Sequence, residues 1–95
     1  MTRQTLLARL ERLRPWLRER GVTRLRLFGS HARNEATAES DVDLVADFHV
    51  PPSLLELIGL EQELAARLGA RVDLATTEGL KPRVRARIEV EAVDA

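Results

Sequence analysis

The apolar residues of this chain change period along its length, and that change limits the fold more than any other feature. Leu6, Leu10, Leu13 and Leu17 recur at helical spacing with arginines between them, so residues 3–20 read as an amphipathic helix. Pro15 lies inside that run and must kink the helix or split it in two. Gly21 stands where a helix C-terminus ends. Residues 24–28 alternate instead: Leu25 and Leu27 between Arg24 and Arg26, a strand with one face buried. A short helical turn over about 30–35 and a small polar loop over 36–40 follow. Residues 41–48 alternate again, with Val42, Leu44 and Ala46 on one face and Asp41, Asp43, Val45 and Asp47 on the other. After Pro51-Pro52, Ser53 and Glu56 form a capping-box signature, and Leu57, Leu60, Leu64 and Leu68 carry a helix to Gly69. Residues 71–76 are a third strand, with Val72 and Leu74 inward and Asp73 opposite. Leu80, Val84, Ile88 and Ala92 give a last helix, with Pro82 in its first turn. Strands alternating with helices predict an α/β fold: a small sheet with helices packed on it.

Ninety-five residues predict one domain, 1–95, with a feasible but small core. The absence of cysteine excludes disulfides, thiolate metal sites and a cysteine nucleophile, and fits a reducing compartment. No stretch is apolar for long enough to be a signal region or to span a bilayer, so the expectation is a cytoplasmic protein without membrane contact. Net charge is zero but segregated: residues 1–33 hold nine Arg against two Glu, and residues 34–80 hold two Arg against ten acids. The balance argues against nucleic-acid binding driven by bulk charge. The segregation sets an acidic, metal-attracting region beside a basic one able to meet phosphates or an acidic partner.

Chemistry concentrates in two short segments. Gly29-Ser30 closes the first strand; after ten intervening residues comes Asp41-Val42-Asp43. Gly29 lets a phosphate approach the backbone closely. Ser30 adds a hydroxyl donor, and the amides of the turn it begins would point at an anion. Arg33, one turn on, could reach a phosphate or pair with a site aspartate. Asp41 and Asp43 leave the same face of a strand and can converge on an ion; oxygen ligands select a hard cation, magnesium or manganese. If the third strand neighbours the second, Asp73 joins them. Three acids on one face repel each other unless a cation neutralises them. Metal ions bridging phosphates and activating a hydroxyl are the logic of phosphoryl and nucleotidyl transfer.

These segments resemble the DNA polymerase beta superfamily of nucleotidyltransferases. The motif is Leu-Phe-Gly-Ser-x-Ala-Arg followed by Ser-Asp-x-Asp-Leu, present as Leu27 to Arg33 and Ser40 to Leu44. Arg71-Val72-Asp73-Leu74 and Leu80-Lys81-Pro82 are similar to the tail of the minimal nucleotidyltransferases, so the resemblance runs from about residue 22 to 93. It implies a palm-like mixed sheet. It implies Asp41, Asp43 and Asp73 as catalytic magnesium ligands, with Asp73 also placed to assist deprotonation of the acceptor. It implies Gly29 and Ser30 as triphosphate binders and ATP as substrate; Arg33 and Ser40 complete the candidate nucleotide-binding set. Members of this size are often antitoxins that move AMP from ATP onto a tyrosine of a HEPN-domain toxin. This chain has no tyrosine, so a tyrosine acceptor must belong to another protein. One departure is Asn34, where the family usually has glycine; asparagine tolerates positive φ, so the turn should survive.

Two other readings stay open at this level. A binding module could neutralise its partner by contact alone, and a metal-dependent hydrolase could use the same acids on water. His31, inside the motif at a variable position, reads as a surface residue. Trp16 reads as packing or an oligomer contact, because aromatics are too sparse for single-strand binding. The last helix has few residues to cover it, which suits a dimer or partner interface.

Overall fold

A computed structural model describes residues 1–37 and 39–95. The first helical run is split as its proline requires. α1 spans Arg3–Arg12 and α2 spans Arg14–Glu19, with Leu13 between them and Pro15 in the first turn of α2. There the missing proline N–H costs nothing, since the first amides of a helix have no intrahelical acceptor. Gly21, at φ 84°, turns the chain into β1 (Val22–Phe28). α3 is a single turn, Gly29–Ala32, and β2 spans Val42–Phe48. The Ser53–Glu56 capping box is closed from both sides, at 3.0 and 3.1 Å, and opens α4 (Leu54–Leu68). Gly69 ends that helix in the left-handed conformation. β3 is Val72–Thr76, and α5 runs Pro82–Glu91. A two-residue strand, β4 (Val93–Asp94), follows where no strand was expected. Two residues carry no periodicity, and β4 exists only because β1 offers an open edge.

The sheet order is β3-β2-β1-β4. β1 pairs antiparallel with β2 and β4, whereas β2 and β3 run parallel, so the sheet is mixed as expected. Parallel neighbours need a crossover, and α4 supplies it. The helix lays Leu60, Leu64 and Leu68 against one sheet face, where they meet Leu25 and Leu27 of β1, Val42, Leu44 and Ala46 of β2, Leu74 of β3, and Leu6, Leu10 and Leu17 from the N-terminal helices. Each fully buried leucine contributes on the order of 2 kcal/mol of hydrophobic stabilisation. Glu61 of α4 also accepts the Leu74 N–H at 2.8 Å, satisfying a donor on the edge strand.

The second face is not simply solvent, as alternation alone had implied. Arg26 and Val45 are cross-strand partners on that face, and both are buried, at 4% and 1% exposure. α5 reaches Arg26: its Ile88 is buried, and its Glu89 meets the Arg26 guanidinium at 3.4 Å. The same guanidinium donates to the Thr77 hydroxyl at 3.2 Å, and Thr77 in turn donates to the Asp47 carboxylate. Burial of Arg26 is tolerated because its donors are used.

Candidate functional site

The site assembles where β1 ends and where β2 and β3 begin. The parallel register pairs Asp43 with Asp73, so residues thirty positions apart leave the same face of adjacent strands. The antiparallel register pairs Asp43 with Phe28, which sets Gly29 directly beside it. Gly29 has φ 73°, and a Cβ there would overlap the Asp43 carboxylate oxygen and lie 3.2 Å from its Cγ. Glycine is therefore needed twice, for its backbone conformation and for the space it leaves. Asn34 has φ 60°, so it fills the turn position where the resemblance expected glycine.

His31 corrects the surface reading. It is 4% exposed, and its Nδ1–H donates to the Asp41 carbonyl at 3.1 Å. The carbonyl can only accept, so the hydrogen sits on Nδ1. This bond ties α3 to the start of β2 and fixes the Gly29–Ser30 turn relative to the aspartates. Nothing in the sequence signals it, because the contact depends on the loop folding back over ten residues.

Burial pushes the Asp43 carboxyl above its ordinary value, and the charges of Asp73 and Asp41 push it further, while His31 and Arg33 pull it back. The like-charge strain expected of three acids on one face is thus present at Asp43. The donor set is all oxygen, which fits a hard divalent cation. The three acids are aligned but not closed around a point: among the described residues, no three His, Asp or Glu side chains are gathered as a metal cage. Asp41 has another partner: its Oδ1 lies 3.0 Å from Arg71 Nε. Arg71 is the residue sequence reasoning missed. It precedes β3 as Asp41 precedes β2, and only the parallel pairing sets them side by side.

Two expected nucleotide ligands have local partners instead. Arg33 pairs with Glu35 at 3.1 Å, not with an aspartate, although its charge still reaches Asp43. Ser40 Oγ accepts the Thr37 N–H at 3.0 Å. Gly29, Ser30, Asp43 and Asp73 are the group the fold brings together. A cleft of about 350 Å³ opens at the opposite end of β2 and β3, between Asp47, Phe48, Pro52, Thr77 and Arg85; none of the site aspartates lines it. Trp16 is a packing residue, partly buried against the core, and its ring is met by the guanidinium groups of Arg20 and Arg67 at 4.1 and 4.4 Å from its centroid. No helix among the described residues is long and apolar enough to cross a membrane.

The nucleotidyltransferase-domain profile matches residues 10–95. The protein adenylyltransferase MntA of Thermococcus cleftensis is 47% identical over 78 residues, covering 81% of this chain and 79% of that one. A solved structure described as a "putative minimal nucleotidyltransferase" superposes with TM-score 0.85 at 40% identity, over 98% of this chain and 95% of the other. The MNT antitoxin solved with a tri-AMPylated Shewanella oneidensis HEPN toxin matches with TM-score 0.73 over 93% of this chain and 69% of that one; at 18% identity this is a likeness of fold. Because the profile match runs through both halves of the site and through every strand that aligns them, this chain belongs to the nucleotidyltransferase-domain family.

Proposed function

We propose that this chain, acting as one nucleotidyltransferase domain over residues 1–95, transfers AMP from ATP to a tyrosine hydroxyl of a partner HEPN-type toxin and thereby serves as its antitoxin. The setting is cytoplasmic, and the cofactor is magnesium, with manganese as a substitute. The observation that carries the reading is the Asp43–Asp73 register beside a left-handed glycine whose Cβ would meet the Asp43 carboxylate. The relative named MntA adds adenylyl transfer to protein, and the fold likeness to an antitoxin bound to an AMPylated HEPN toxin adds the partner class.

Asp41, Asp43 and Asp73 would hold the metal, which when bound offsets their mutual repulsion and polarises the phosphates. The chain's own groups do the rest. The first amides of α3 and the Ser30 hydroxyl donate to the triphosphate, and Gly29 lets it lie against the backbone. Arg33 and Ser40 join once the nucleotide draws them from Glu35 and Thr37. Asp73, on the exposed side of the edge strand, accepts the proton of the incoming hydroxyl. The acceptor oxygen bonds to the α-phosphorus, and pyrophosphate leaves with the bonding pair.

The test is the intact mass of the HEPN-type partner after incubation with this chain, ATP and magnesium, with Asp41→Ala/Asp43→Ala as control. Gain of whole AMP units only with the unmodified enzyme is the expected result. An unlabelled partner that is still bound and inhibited would replace transfer with neutralisation by contact; release of nucleotide without label would indicate a hydrolase.

A further inference from the structure

Asp41 and Arg71 occupy matching places, each one residue before its strand. Val42 pairs with Val72, and the Val42 N–H donates to the Arg71 carbonyl at 2.8 Å, so the two side chains meet in register. Arg71 Nε lies 3.0 Å from Asp41 Oδ1, and its Nη2 donates to the Glu39 carbonyl at 3.2 Å. One guanidinium therefore grips both the carboxylate and the chain leading into it. Both side chains face solvent, at 78% and 50% exposure. Exposed ion pairs are weak and exchangeable. A divalent cation at the aspartates would repel the guanidinium and compete for the same carboxylate oxygen.

We propose that Arg71 is the internal counter-ion of Asp41, a positioning residue that holds this carboxylate aside in the metal-free protein and yields it when a divalent cation binds. The proposal rests on reading Asp41, Asp43 and Asp73 as a cation site. It accounts for three acids that share a face yet stand short of a closed cage. It also gives the basic residue of the Arg71-Val72-Asp73 segment a task distinct from binding nucleotide.

The experiment titrates the full chain with Mn²⁺ alone, following free Mn²⁺ by electron paramagnetic resonance. Arg71→Gln is expected to bind Mn²⁺ roughly two- to fivefold more tightly than the unmodified chain, the worth of the exposed pair it no longer has to break. Without metal, Arg71→Gln melts lower than the unmodified chain; with saturating Mn²⁺ that deficit closes. Unchanged or weaker Mn²⁺ binding overturns the proposal. So does an equal gain from Arg20→Gln, because Arg20 pairs with Glu19 and Glu63, away from the aspartates. Asp43→Asn separates the two levels. If it abolishes binding while Arg71→Gln brings no gain, only the role of Arg71 falls. If it binds as the unmodified chain does, the carboxylate site itself is refuted.

Discussion

Replacing Gly29 by alanine tests the packing of the site directly. Two penalties apply. The residue sits at φ 73°, and a left-handed conformation costs an L-residue roughly 1–2 kcal/mol. The added methyl would also overlap the Asp43 carboxylate, and forcing atoms into a filled space costs roughly 1–3 kcal/mol. The total is about 2–5 kcal/mol, and for a chain of this size each kilocalorie lowers the melting temperature by about 4–8 °C. Gly21 supplies the control. Its φ is 84°, yet nothing lies within 4 Å of a Cβ placed there, so Gly21→Ala carries the backbone penalty alone, about 1–2 kcal/mol. The difference between the two variants, measured by urea unfolding, isolates the overlap. Shortening Asp43 then removes it: in an Asp43→Ala background the nearest atom is the Asp43 Cβ at 3.4 Å, an ordinary contact. Gly29→Ala should therefore cost about 1–3 kcal/mol less in that background, a coupling that neighbouring residues commonly show. If Gly29→Ala costs no more than Gly21→Ala, or costs the same with and without the Asp43 carboxylate, the close approach of turn and carboxylate is refuted.

Three further outcomes follow from the same geometry. Asp43 has its proton affinity raised by folding, so its charged form opposes folding: the penalty is absent below the ordinary carboxylate value and grows as pH rises through the folded value. Asp43→Asn should thus stabilise the metal-free protein at neutral pH, with the gain fading in acid; melting curves from pH 3 to 8 check this, and destabilisation at pH 7 would contradict it. Ser53→Ala opens the capping box and should cost about 1 kcal/mol of stability in urea unfolding. Arg26→Ala removes the buried guanidinium that links Thr77 and Glu89 to β1; it should cost roughly 1–3 kcal/mol and speed hydrogen exchange in α5, and unchanged exchange would mean that Ile88 alone anchors the helix.

Much of the fold was legible because the signals are local. Ser53 caps an amide three residues away, Gly69 ends a helix by its own dihedral angle, and Pro15 breaks a helix through its own ring. The Gly29–Ser30 and Asp41–Asp43 elements were legible for the same reason: each is a few residues at the end of a periodic run. Arg26 and Val45 were not, since alternation tells which residues share a face but not that α5 returns to reach Arg26. Arg33 and Ser40 were read by position in a motif, and in the folded chain Glu35 and Thr37 hold them.

The sequence by itself determined the order of helices and strands, the inward leucines, and the two segments proposed to meet phosphate and cation. These depend on free energies set within a turn of helix or a few residues of strand. Only the tertiary structure decided that β3 lies parallel to β2, which brings Asp73 to Asp43 and Arg71 to Asp41. It also decided that His31 is buried against the Asp41 carbonyl and that Val93–Asp94 completes the sheet. Those contacts join residues ten to about seventy positions apart. Their free energy is realised only after the intervening chain has been ordered, so no local pattern records them.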